Sequence, residues 1–343
     1  MKKRANVTKK ALAALVTIAG IGLSAVMPAH AAIQERTIRV SNGVNQDHPA
    51  GNGVNKMAAC AAEKSGGKIK VLGFYGGALG GDLQATQALR GGTLDMVITS
   101  TSPLVGILPD LGVFDLPFLF ANAKEADAVL DGEFGKYISD KMPALGLVNL
   151  AYWENGFRNA TNSRRPITKW EDFSGVKMRV MQNNIFLDTF KNMGANAVPM
   201  AFGEVFTALE TRAIDGQENP FVTIDTSKYY EVQKYLSVTQ HAYTPFMALF
   251  SKKIWDSYSP EERQIVQECA IQGRDEQRRV LRAKSDESLA KLKAEGMEVN
   301  ELTPAEQARM REQAKAVYEK HADSIGRETV DKMLATLAAI RKQ

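Results

Sequence analysis

The sequence predicts a two-lobed α/β protein whose chain passes between its lobes twice. Two observations carry that reading. Thr37 to Tyr75 reads strand, helix, strand, the spacing of a βαβ unit and so of a mainly parallel sheet. A buried strand, Gly146 to Trp153, then runs into Glu154-Asn155-Gly156-Phe157-Arg158, where Gly156 marks a backbone crossing point, and a second crossing is read at Pro245 to Ser251. A chain that leaves one lobe and returns to it makes discontinuous domains: 32–155 with 245–283 for the first lobe, 156–244 with 284–343 for the second.

Residues 1–31 stand outside the fold. Lys2, Lys3, Arg4, Lys9 and Lys10 form a basic start, Ala11 to Met27 an apolar run, and Ala29-His30-Ala31 a small-residue cleavage site. This is a secretory signal peptide, which implies a periplasmic mature chain. It holds five positive charges and no negative one, so its removal takes the formal net charge from +4 to −1. The mature chain therefore carries no basic excess, which excludes nucleic acid as an expected partner. An oxidising compartment permits a bond between the two cysteines, Cys60 and Cys269, but two separate buried thiols fit the sequence equally.

Taken in order, the elements are as follows. Thr37 to Val40 is the first strand. Val54, Met57, Ala58, Ala61 and Ala62 give a helix at helical spacing, which Ser65-Gly66-Gly67 stops. Lys68 to Tyr75 alternates as a strand. The glycine-rich loop Gly76 to Gly81 lacks the pattern of a phosphate cradle and reads as a turn into a helix with Asp82 as its N-cap. Met96 to Thr99 is a strand that delivers Ser100-Thr101-Ser102 to its carboxyl end, where open α/β sheets bind ligands; a helix cap before Pro103 is the competing reading. Val113 to Phe120 is packed core. Two helices, about Lys124 to Leu130 and Phe134 to Lys141, precede the first crossing strand.

Arg158 sits just past that crossing, as a hinge ion pair or a ligand contact. Lys177 to Met181 is a strand whose apolar neighbours surround Arg179. A guanidinium in such a place needs a partner, either a nearby carboxylate of the fold or the acid group of a ligand. Helical spacing of Phe202, Val205, Phe206 and Leu209 gives a helix to Arg212, and Asp215 to Pro220 closes the second sheet with Asn219 held out of helix by its proline. Tyr235 to Tyr243 is a returning strand. Pro260 starts a long helix to about Ala294 with interleaved charges. A short strand, Met297 to Leu302, and a C-terminal helix capped at Thr303 finish the chain.

Three segments together, GVKMRV with GANAVPMAFGEVFTALETRAIDGQENP, AYWENGFRNATNSRRP and YYEVQKYLSVTQHAY, resemble the DctP-type substrate-binding proteins of tripartite ATP-independent periplasmic (TRAP) transporters. The resemblance covers Thr37 to about Arg327. It implies a type II-like periplasmic binding protein with hinged discontinuous domains and a long helix spanning both lobes. It implies that Arg179 clamps a ligand carboxylate, that Arg158 reaches the acid or its neighbouring hydroxyls, and that Phe202 packs on the ligand. Asn219 adds a donor, and Asn42, Tyr75, Ser100, Glu154 and Glu218 are expected to read ligand hydroxyls. The implied ligand is a sugar acid or a short hydroxy or keto carboxylate. The implied partners are a small and a large membrane subunit, driven by sodium, with the binding protein itself a monomer.

No cofactor, metal or catalytic residue is expected. The sequence has no GxSxG elbow and no HExxH, and His48, His241 and His321 pair with no cysteine motif. A periplasmic enzyme on the same scaffold, or a binding protein of an ABC importer or a sensor, are the alternatives.

Overall fold

The protein is described by a computed structural model covering residues 32–342; the signal peptide read from residues 1–31 lies outside them. The first unit is strand β1 (Arg36–Asn42), helix α1 (Pro49–Lys64) and strand β2 (Ile69–Phe74), with Ile38 level with Val71 in a parallel ladder. Helix α2 (Asp82–Gly91) leads to β3 (Met96–Ser100), which pairs in parallel with β1 on its other edge. The expected βαβ arrangement is thus present.

The cap of α2 differs from the expectation. Gly81, not Asp82, holds the N-cap position, and no side chain caps the helix. Asp82 is the first helical residue, so its carboxylate is free to point elsewhere.

Val113, Phe114, Leu116, Leu119 and Phe120 are buried as core. Helices α3 (Ala123–Leu130) and α4 (Glu133–Ser139) follow. Strand β4 then runs unbroken from Leu147 to Asn162. The sequence reading ended this strand at Trp153, and the structure extends it across the crossing. The physical reason is a register shift between Glu154 and Gly156, where Gly156 takes φ 116°. A bulge bends a strand without ending its ladder, and only glycine adopts that dihedral cheaply.

The second half holds β5 (Lys177–Val180), α5 (Asn184–Asn192), β6 (Asn196–Pro199), the short helix α6 (Val205–Glu210), β7 (Gly216–Asn219) and α7 (Phe221–Thr226). Phe202 to Glu204 forms a separate tight turn before α6 rather than its first turn. Strand β8 (Tyr235–Ser251) is also continuous and lies antiparallel along β4. One sheet of nine strands results, in the order β2-β1-β3-β8-β4-β7-β5-β6, with β9 (Glu298–Glu301) beside β8. Its outer ladders are parallel and its centre, where β3, β8, β4 and β7 meet, is antiparallel.

After the single turn α8 (Lys252–Trp255), helix α9 (Pro260–Ala294) starts on a capping box between Ser259 and Glu262. Its 35 residues span about 52 Å at ~1.5 Å each. Near its middle Arg282 bonds Glu154 and Asp127; further on Ser288 and Lys291 bond Asp225 of α7. Helix α10 (Pro304–Ile325) and helix α11 (Arg327–Ile340) end the described chain. Helix α11 buries Val330, Met333 and Leu337 in the apolar cluster that also holds Leu89 and Leu147.

Cys60 of α1 is bonded to Cys269 of α9, with their Cα atoms 5.5 Å apart and 209 residues between them in sequence. The bond closes a very long loop, the case in which a cross-link restricts the unfolded chain most. Replacing both cysteines by alanine is expected to lower the unfolding free energy by ~2–5 kcal/mol, read by urea denaturation. An unchanged midpoint would show that the bond contributes nothing.

Candidate functional site

The carboxyl ends of β1, β3, β5, β6 and β7 converge where β4 and β8 cross. A small cavity of about 40 Å³ lies there. Asn42, Asp82 and Ser100 line it from one side, and Arg179, Phe202, Asn219 and Thr223 from the other. Asn155, Arg158 and Phe246 line it from the crossing strands.

Arg179 is the least satisfied cation of the site. It stands on the four-residue strand β5 and is 2% exposed. Its Nε and Nη2 both donate to the Met200 carbonyl, at 3.0 and 2.7 Å, and its Nη1 has no partner among the described residues. A guanidinium has five N–H donors. One edge of the fork is therefore fixed by backbone, and the Nη1/Nη2 end remains for a two-point acceptor such as a carboxylate. Burial pulls its pKa down, the sign of a charge held out of water without full compensation.

Arg158 is fully buried and mostly spent. Its Nε and Nη2 meet both carboxylate oxygens of Glu218, Nη2 at 3.0 Å; Nη2 also reaches Asn219 Oδ1 at 3.1 Å, and Nη1 reaches Thr244 Oγ1 at 3.2 Å. The hinge ion pair is therefore present, and one edge of the same arginine still lines the cavity. His241 Nε2 lies 3.1 Å from Glu218 Oε2. Burial acts to raise the Glu218 carboxyl, but Arg158 and the His241 bond more than offset it and bring it down to about 2.

Six residues expected from sequence are brought together at this cavity: Arg179, Arg158, Asn219, Phe202, Ser100 and Asn42. Three are not. Glu218 lies behind Arg158 as its counter-ion, fully buried. Glu154 turns to the α9 side of β4, where Arg282 holds it at 2.7 Å. Tyr75, just past β2, folds its ring back over Gly73 of that strand. Asn155, the extra residue of the bulge between Glu154 and Gly156, lines the cavity, and no regular alternation of the strand could have selected it. Asp82 was missed because a carboxylate at a helix start reads as a cap. Burial raises its carboxyl, against a bond from Thr99 and the field of Arg179.

Asn183, the N-cap of α5, reaches across the cleft. Its Nδ2 donates to Asp115 Oδ2 at 2.6 Å and to the Ser102 carbonyl at 3.2 Å, while the Ser102 hydroxyl donates to the other Asp115 oxygen. Burial pushes Asp115 up to about 7, against those bonds and Arg158. A carboxyl raised in the folded state stabilises it below the unfolded value near 4 and loses that contribution as pH climbs through about 7. Asp115→Asn is therefore expected to gain on the parent in Tm as pH moves from 4.5 to 8. A difference that stays constant over that range would contradict it.

A family model described as bacterial extracellular solute-binding protein, family 7 (DctP) matches residues 40–324. The C4-dicarboxylate-binding periplasmic protein DctP of Rhodobacter capsulatus is 31% identical over 333 residues, covering 96% of this chain and 99% of the relative. Among solved structures, the sugar acid binding protein DctPAm of Advenella mimigardefordensis in complex with galactonate is 46% identical, with a TM-score of 0.88 over 90% of this chain and 99% of that one. A TRAP periplasmic solute-binding protein of a Sulfitobacter species with bound β-D-galacturonate is 32% identical, with a TM-score of 0.82 over 90% and 100%.

Proposed function

Because the chain belongs to family 7 of the bacterial extracellular solute-binding proteins, we propose that it captures a hydroxylated carboxylic acid in the periplasm and hands it to a sodium-coupled TRAP complex of a small and a large membrane subunit. Arg179 clamps the acid group. Arg158 and Asn219 add donors, Phe202 packs on the carbon chain, and Asn42, Ser100 and Asn155 read hydroxyls. The two lobes divide near Asn155/Gly156 and Thr244/Pro245, and the mature protein works as a monomer that binds no nucleic acid. The proteins it resembles in sequence and structure are binding proteins, which supports capture over turnover.

One observation carries this reading. Asn42 Nδ2, Ser100 Oγ, Asn155 Oδ1 and Arg179 Nη1 are all buried without a partner among the described residues, and all four belong to residues lining the one cavity. Buried polar groups are ordinarily paired, and leaving one unmade costs ~1–3 kcal/mol. A cluster of such atoms round one guanidinium is complementary to a small anion that carries hydroxyls. Closure of two lobes needs a ligand that contacts both, and these atoms come from both sides of the cleft.

The test is a thermal-shift and calorimetric panel of D-galactonate, β-D-galacturonate, D-erythronate, succinate and the neutral galactitol. A bound acid at a hundredfold excess over its Kd stabilises the fold by about 2.7 kcal/mol. At least one acid should raise Tm and be recovered chemically unchanged, and galactitol should not. No response to any acid, or conversion of the acid, would reject the proposal.

A further inference from the structure

Asp82 is a carboxylate inside a site built round a cation that waits for another carboxylate, and that placement needs a reason. It does not cap its helix, a task taken by Gly81. It forms no ion pair within 4 Å of a cation among the described residues, and Arg179 acts on it only through space. Its position is specific. Asp82 lines the inner cavity with Arg179, and it also lines an adjoining outer cavity of about 390 Å³ with Gly76, Gly77 and Glu204, which Arg179 and Arg158 do not line. It therefore stands where the inner chamber meets the outer one.

We infer that Asp82 is a specificity residue that accepts hydrogen bonds from the hydroxyls of a polyhydroxylated monocarboxylate and turns away acids with a second carboxylate. The inference rests on the reading of the site given above. An ionised carboxylate only accepts hydrogen bonds. An alcohol supplies the donor it needs; a second carboxylate supplies none and adds like-charge repulsion in a largely desolvated space. A negative group placed against a competitor is a device for rejection as well as for attraction. Asn42 Nδ2 and Ser100 Oγ, unpartnered on the same side of the cleft, can take the oxygen lone pairs of the same hydroxyls.

The test uses matched acids that differ in the far group alone or nearly so: D-galactonate against galactarate, and D-erythronate against tartrate. Calorimetry on the mature protein should show the monoacid of the better-bound pair favoured at least a hundredfold. In Asp82→Asn that preference should fall at least tenfold, through weaker binding of the monoacid, tighter binding of the diacid, or both. Asp82→Ser, which removes charge and keeps a small polar group, should do the same, and circular dichroism checks that both variants fold. If the variants weaken both acids of a pair by one factor, Asp82 only positions Arg179, and this inference fails while the capture reading stands. If the preference is unchanged, it fails likewise. If the parent binds none of the four acids, both readings fall together.

Discussion

Arg179→Ala should lose affinity for every acid the parent binds by roughly thirtyfold or more, with Tm of the free protein unchanged or slightly raised. The two halves of that result have one cause. Arg179 is 2% exposed, two of its nitrogens share a single backbone carbonyl, and its Nη1 is unpartnered. In the free protein it is a cost, because a buried cation without its anion is poorly compensated. Removing it takes away that cost together with the binding energy. Truncating one partner of a buried charge pair costs ~2–5 kcal/mol, so the loss extends to several thousandfold at the upper end. Arg179→Lys separates charge from shape. Lysine keeps the cation but offers no planar fork, and it is expected to recover only a small part of the affinity. Isothermal titration of the three proteins with the tightest acid, beside their melting curves, decides this. Unchanged affinity in Arg179→Ala would remove the anchor.

Glu218→Gln should do the reverse, and it is the change expected to damage the fold most. Arg158 is fully buried and takes both oxygens of Glu218, and His241 shares one of them. Breaking a buried pair from one side leaves an uncompensated charge and costs ~3–5 kcal/mol. For a chain of this size that corresponds to a fall in Tm of roughly 10 °C. Because the carboxyl is held down to about 2, its contribution is complete above its ordinary value near 4.5 and drains away as pH falls toward 2. The parent should therefore lose Tm through that acid window while the variant, already without the carboxylate, loses less. If Glu218 instead touched the ligand, the variant would melt like the parent and bind weakly, and the counter-ion assignment would be wrong.

These two residues also show what was legible in the sequence and what was not. Periodicity and turn chemistry were enough for β1-α1-β2, for the start of α9 at Pro260 and for an arginine alone on an apolar strand. The ends of β4 and β8 were not legible, because a bulge at Gly156 in the one and Pro245 in the other look, in one dimension, like the end of a strand. Direction was the second limit. Glu154, Asn155 and Glu218 are all polar residues near the crossing, and sequence cannot say which faces the cleft. The sheet decides it: Glu154 meets Arg282 of a helix far along the chain, Glu218 meets Arg158, and only Asn155 is left to the cavity. Asp82 shows a third limit. A carboxylate before a helix has a local explanation in capping, and that explanation hid the non-local one. Cys60 and Cys269 show the same in reverse, since 209 residues of separation say nothing about the 5.5 Å between their Cα atoms.

The central claim is that the open end of one buried guanidinium, set between two lobes, takes the acid group of the solute. A crystal structure of the mature protein grown with the tightest acid of the panel tests it most directly. The account predicts the solute's carboxylate bonded in two-point fashion to Nη1 and Nη2 of Arg179, with its hydroxyl-bearing chain running toward Asp82. A carboxylate held by any other group, with Arg179 still bonded only to the Met200 carbonyl, would contradict it.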